Sequence, residues 1–214
     1  MDSKNISSIR RDYGVAGLNK EDTHESPLLQ FDKWLAEALQ TEQLDPTAMV
    51  VSTVDDKGHP DSRIMLLKGL EDGMFIFYTN YQSMKAAHIA TTPYVALNFY
   101  WPSLGRQVRV RGRIEQISEK KSDDYFASRP RGSQLSAIVS NQSTEIQHRG
   151  ELEEKLNELL EKHQSKPIDR PKHWGGYQVT PHEMEFFQGR DSRLHDRIHY
   201  DLRGHKWHVR RLAP

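Results

Sequence analysis

The chain contains no cysteine. That excludes disulfides, thiolate nucleophiles and Cys-ligated zinc or iron–sulfur centres, and it fits a reducing compartment. It also lacks a charge excess: 30 Lys and Arg balance 30 Asp and Glu. No net field draws it to nucleic acid or to anionic lipid, so any anion site must be local. No apolar run reaches the roughly 18 residues of a membrane span, and the opening MDSKNISSIRRDYG has no apolar signal-peptide core. No G-x-G-x-x-G follows a predicted strand, which argues against a dinucleotide-binding Rossmann domain. Repeats and low-complexity tracts are absent too. The expectation is a cytoplasmic protein with no membrane and no nucleic-acid partner.

What is present is a chain of 214 residues, 36% hydrophobic and 28% charged, large enough for one substantial core. Residues 1–25 are polar and read as a mobile arm; 26–214 read as one domain. Ser26-Pro27 opens a helix over 27–43, with Leu28, Phe31, Leu35, Ala38 and Leu39 at helical spacing. Strands are expected at 47–54, 62–70 and 74–79, joined by Gly-containing turns into an antiparallel meander. A short helix at 83–90 and strands at 94–100 and 106–117 follow. Val108 and Val110 alternate with Arg109, Arg111 and Arg113, as in a strand buried on one side. Helices are expected from Ser118 to before Pro130, over 133–139 and over 151–163. The chain then returns to strands at 176–180, 183–188, 194–200 and 206–212. Helices inserted between blocks of strands predict a mainly β, α+β protein: an antiparallel barrel with surrounding helices.

Four segments can carry chemistry. Arg63 and Lys68 bracket an apolar strand; they are either solvated strand ends or the ligands of two different anions. Ser83-Met84-Lys85 opens a helix, where free N–H groups and the dipole can seat a phosphate, or where the helix is merely capped. Tyr125 to Gln134 gathers Arg129, Arg131 and Ser133 around a proline break; a guanidinium fork suits phosphate, and a solvated loop is the plain alternative. In Arg193-Leu194-His195-Asp196-Arg197, strand alternation would put Arg193, His195 and Arg197 on one face, either exposed or set against an anionic ligand or an electron-rich ring. Eleven histidines are present, but their spacings match no common zinc pattern, and no metal site is expected.

The order of these motifs is more informative than any one of them. Arg10-Arg11-Asp12-Tyr13, Asp45 to Val50, Arg63 to Lys68, Phe77 to Asn80, Arg106-Gln107-Val108, Tyr125 to Gln134, Gln142-Ser143, Phe186 to Gly189, Arg193 to Arg197 and Arg211 to Pro214 succeed one another along the chain. The succession resembles the pyridoxine/pyridoxamine 5′-phosphate oxidase family.

The resemblance implies an FMN-binding split β-barrel, built as a homodimer with shared active sites. It implies that Arg63, Lys68, Tyr78, Thr79, Ser83, Lys85, Gln107, Gln142, Ser143, Phe187 and Arg197 surround FMN, and that Gln142 and Ser143 lie across the subunit interface from Ser83 and Lys85. Lys68, Tyr125, Arg129 and Ser133 would hold the substrate phosphate. Arg193 and His195, the candidate catalytic pair, would lie over the pyridine ring, with Arg10, Arg11 and Tyr13 in a lid. The implied activity is oxidation of pyridoxamine 5′-phosphate and pyridoxine 5′-phosphate to pyridoxal 5′-phosphate, with O2 reduced to H2O2. The alternatives are a non-catalytic split-barrel binder of FMN or pyridoxal phosphate, and a nicotinamide-dependent FMN reductase, which gives no reason for a second phosphate clamp. Two positions depart from the family pattern: Met84 stands where Arg is usual, and Phe187 where Trp is usual.

Overall fold

Val50, Val51, Thr53 and Val54 favour extended backbone, and they lie in β1 (Ala48–Val54), whose residues alternate between half-buried and buried. The computed structural model describes residues 17–42, 44–163 and 166–214. The order from α1 (Pro27–Thr41) and β1 is β2 (Pro60–Leu66), β3 (Gly69–Glu71), β4 (Met74–Asn80), α2 (Met84–Thr91), β5 (Tyr94–Trp101), β6 (Arg106–Gln116), α3 (Glu119–Ser128), α4 (Arg131–Val139), α5 (Gly150–His163), β7 (Trp174–Gln188), β8 (Asp196–Arg203) and β9 (Lys206–Leu212). The chain divides into two compact units. The larger holds Ala48–Leu97 and Arg111–Pro181; the smaller holds the described residues up to Thr47, Asn98–Val110 and His182–Pro214.

In the larger unit the strand order is β2-β1-β5-β6-β7-β4-β3. The pairs β1–β2, β3–β4 and β4–β7 are antiparallel. This corrects the meander. The stretch expected as one strand at 62–70 is two, and they occupy opposite ends of the order. Leu67 turns into the core at 5% exposure, and the backbone N–H of Lys68 donates to Ile76 O at 2.8 Å. The chain therefore leaves β1 after Leu66 and joins β4. Arg63 and Lys68 do not share a strand, so parity along one strand says nothing about them. Helices α3 and α4 bury Phe126, Leu135 and Ala137 with Ile168 and Trp174, and Leu156 and Leu159 of α5 pack on that cluster.

The smaller unit is built on α1 and on β8 and β9, antiparallel to the last residues of β7. The buried face of α1 is Phe31, Trp34 and Ala38, while Leu39 is exposed. Phe31 meets Phe99 at 4.9 Å, and Trp34 meets Phe186 edge-on at 5.3 Å. Two expected strands at 176–180 and 183–188 are one continuous β7; the φ that a proline ring fixes is compatible with extended backbone, so Pro181 does not interrupt it. A third correction concerns β8, which begins at Asp196 rather than Leu194. Arg193 sits in a single 3-10 turn with φ 60°, outside any strand.

Candidate active site

The first turn of α2 assembles a buried cation. Ser83 precedes the helix, and its hydroxyl donates to Asn80 O at 2.7 Å instead of capping. The exposed helix N–H of Met84 is met by Ser143 Oγ at 3.2 Å. The Lys85 ammonium, 6% exposed, donates to Gln142 Oε1 at 2.7 Å and to Thr79 Oγ1 and Ser83 Oγ at 3.1 Å. Every partner is neutral. Burial, and secondarily the positive charge of Arg63, push Lys85 down to about 8. Arg63 is held on β2 by Val51 O at 3.1 Å, Thr53 Oγ1 at 2.8 Å and the Asp61 carboxylate. A buried lysine destabilised by a second cation, at the positive end of a helix, is the chemistry of an anion seat.

A cavity of about 500 Å³ extends from Thr79 and Gln142, and is lined also by Ile64, Lys68, Tyr78, Tyr125, Arg129 and Trp174. One wall is aromatic: Tyr78 stacks on Tyr125 at 3.7 Å, and Trp174 lies near-parallel to both. Gly176 makes this approach possible; a Cβ there would fall 2.8 Å from Tyr78 Cε1. Burial pushes the Tyr78 phenol up to about 12, aided by Glu71 and Tyr125. The guanidinium carbon of Arg129 lies 4.5 Å above the Trp174 ring, and its Nη1 is buried with no hydrogen-bond partner among the described residues. Burial lowers the Arg129 pKa from its ordinary value. An unsatisfied cationic donor beside a cavity costs stability unless an anion reaches it.

The Arg193–Arg197 segment belongs to the smaller unit. The backbone N–H of Arg190 donates to His195 Nδ1 at 3.0 Å, and Phe187 packs on the imidazole at 4.8 Å. Arg197 grips Glu185 with Nε and Nη2, both at 3.0 Å, and donates to Ala213 O at 2.9 Å. Asp196 accepts from Leu18 N at 3.0 Å, from Arg190 Nη1 at 3.3 Å and from Arg211.

Of the residues singled out in the sequence, the structure joins Thr79, Ser83, Lys85, Gln142 and Ser143 in one cluster, and Lys68, Tyr78, Tyr125 and Arg129 around one cavity. Gln142 and Ser143, expected across a subunit interface from Ser83 and Lys85, reach them within the same chain, because the segment after α4 returns to α2. Ser133 lies in the first turn of α4, one turn before the lining residues Ser136 and Ala137. Gln107, Phe187, Arg193, His195 and Arg197 lie in the smaller unit; Arg193, His195 and Arg197 do not form one strand face. Arg10, Arg11 and Tyr13 fall outside the described residues. Sequence reasoning missed Trp174 and Asn80. The signal for Trp174 was its place before Gly175-Gly176, a pair that admits side chains close to the backbone.

An antiparallel sheet of this order, carrying an anion seat beside a cavity, places the chain among the split-barrel flavoproteins. It superposes on PhzG from Burkholderia lata 383, solved with tetrahydrophenazine-1-carboxylic acid, with a TM-score of 0.87 at 28% identity over 94% of this chain and 99% of that one. A pyridoxamine 5′-phosphate oxidase-related, FMN-binding protein of Nostoc punctiforme shares the fold, with a TM-score of 0.70 at 18% identity over 86% of this chain and 97% of that one. The family model for pyridoxamine 5′-phosphate oxidase matches residues 35–163, and that for the pyridoxine 5′-phosphate oxidase C-terminal dimerisation region matches 174–214. The chain is 59% identical over 211 residues to the pyridoxine/pyridoxamine 5′-phosphate oxidase of Legionella pneumophila strain Paris (99% of this chain, 98% of that one). To the Synechocystis protein of the same name it is 45% identical over the full length of both. This chain belongs to the pyridoxine/pyridoxamine 5′-phosphate oxidase family.

Proposed function

We propose that this protein is an FMN-dependent oxidase of the cytoplasm that converts pyridoxine 5′-phosphate and pyridoxamine 5′-phosphate to pyridoxal 5′-phosphate, as a homodimer with shared active sites. The observation that carries the reading is the pair of uncompensated cations in the larger unit. Lys85 donates to neutral acceptors, and Arg129 has a buried nitrogen without a partner among the described residues. Two anion seats suit a phosphorylated cofactor together with a phosphorylated substrate. The donors of the first seat fit a flavin mononucleotide: Lys85, Ser83, Ser143 and the start of α2 would hold its phosphate, with Arg63 adding positive charge.

When bound, FMN supplies the acceptor for a hydride from the substrate's 4′-carbon and passes the electrons to dioxygen, giving hydrogen peroxide. The residues of the chain bind, orient and hold protons. Arg129, Tyr125, Lys68 and Ser133 clamp the substrate phosphate, so that binding energy far from the 4′-carbon fixes its position. The aromatic wall excludes water from one side of the cavity. His195 accepts the Arg190 N–H at Nδ1, which fixes the orientation of the imidazole. Arg193 steadies the pyridine ring from its exposed turn.

Arg129→Ala tests the assignment. The Michaelis constant for pyridoxine 5′-phosphate should rise by about tenfold or more, since a charge-assisted hydrogen bond contributes roughly 1.5–3 kcal/mol, while bound flavin is retained. Loss of flavin with an unchanged Michaelis constant reverses the two seats.

A further inference from the structure

Arg129 is held in an unusual way. Among the described residues no carboxylate pairs with it. Its guanidinium carbon lies 4.5 Å from the Trp174 ring centroid and 5.8 Å from that of Phe126. A carboxylate would fix the fork equally well, but it would cancel the charge and occupy the donors. A ring face attracts the cation through its quadrupole and leaves every N–H free.

Trp174 is itself fixed. It is 7% exposed, its backbone N–H donates to Pro171 O at 3.0 Å, and its backbone carbonyl accepts from Arg170 Nη1 at 2.6 Å. Arg170 is in turn tied to Asp123 at 2.6 Å. Phe126 packs edge-on against the indole at 5.3 Å. The same indole lies parallel to Tyr125, with an interplanar angle of 4°. One rigid ring therefore sets the position of Arg129 at the cavity, while Tyr125 is stacked on Tyr78 at 3.7 Å.

We propose that Trp174 is a positioning residue for the substrate's phosphate: its ring face pre-orients Arg129 while leaving the Arg129 charge unneutralised. The proposal rests on the reading of Arg129 as a phosphate ligand. It assigns Trp174 no contact with the reacting atoms and no part in flavin binding.

The test is a double-mutant cycle on the flavin-loaded enzyme with pyridoxine 5′-phosphate: Trp174→Leu, Arg129→Ala and the two combined, with Trp174→Phe in parallel. Trp174→Leu should raise the Michaelis constant roughly three- to tenfold and leave kcat and the dissociation constant for FMN unchanged. Inhibition by inorganic phosphate should weaken in step. Trp174→Phe, which keeps a weaker ring face and fills most of the volume, should show a smaller rise, and it carries the test if the leucine variant does not fold. In the Arg129→Ala background, Trp174→Leu should add little further. An equal rise in both backgrounds, or a fall in kcat and flavin affinity instead, overturns the proposal as a purely structural effect. If Arg129→Ala raises the Michaelis constant and neither Trp174 variant does, this proposal fails and the clamp stands. If Arg129→Ala changes nothing, the clamp fails and takes the proposal with it.

Discussion

The ammonium of Lys85 and the amide oxygen of Gln142, 57 positions apart in sequence, meet at 2.7 Å. The segment that follows α4 thereby closes over the start of α2. The contact satisfies a buried cation without neutralising it, and the Lys85 pKa falls to about 8, first through burial and then through Arg63. A lysine lowered in this way is charged below that pH and neutral above it. Affinity of the apoprotein for FMN should therefore be flat between about pH 7 and 8, where the flavin phosphate is already dianionic, and weaken as pH rises from 8 towards 10, by up to about tenfold per unit when one proton is coupled. Fluorescence titration of apoprotein with FMN across that range checks the sign. Affinity that is constant to pH 10 means Lys85 does not face the phosphate.

Met84 should be a site of gain. It is 53% exposed at the first position of α2, so a longer side chain meets no core packing. Methionine donates no hydrogen bond. Met84→Arg should tighten FMN binding by up to about ten- to hundredfold, from one added charge-assisted contact, and the gain should shrink in high salt if the side chain stays partly solvated. Equal or weaker binding in the same titration means the seat is already saturated.

Much of this arrangement was legible in the sequence, and the failures have physical causes. Strand positions followed from periodicity where alternate residues are buried, as in β1, β5 and β6; β6 alternates as expected along Val108 and Val110. The misplaced feature was the joint at Leu67-Lys68. A continuous apolar run looks the same whether it stays on one partner or changes partner midway, and pairing across the sheet decides which. The Arg193–Arg197 segment failed as a strand because period-2 reasoning cannot see a positive φ at Ser192 and Arg193. Gln142 and Ser143 were assigned to the wrong side of an interface because distance along a chain says little about distance in space. Trp174 was overlooked because a lone Trp in a proline-containing loop reads as packing until the cation above it is seen.

The two groups of site residues belong to different units of the chain, with Lys85 and its partners in the larger and Arg197 and Phe187 in the smaller. Residues 174–214 match a dimerisation region. For a homodimer with shared sites, Lys85→Ala and Arg197→Ala should each depress activity as pure variants. Mixing the two before reassociation should restore it, because each mixed dimer then contains one site with both residues intact. Absence of recovery in verified mixed dimers would place both residues in sites completed within one subunit.

The most direct measurement is aerobic turnover. Purified protein loaded with FMN is given pyridoxine 5′-phosphate in air-saturated buffer, and aldehyde and hydrogen peroxide are followed together, with unphosphorylated pyridoxine as the control. The predicted result is equimolar pyridoxal 5′-phosphate and peroxide from the phosphorylated alcohol, with far slower reaction of the control, because the clamp around Arg129 has no phosphate to hold. Flavin that binds without aldehyde formation, or a control that reacts equally well, would contradict the account.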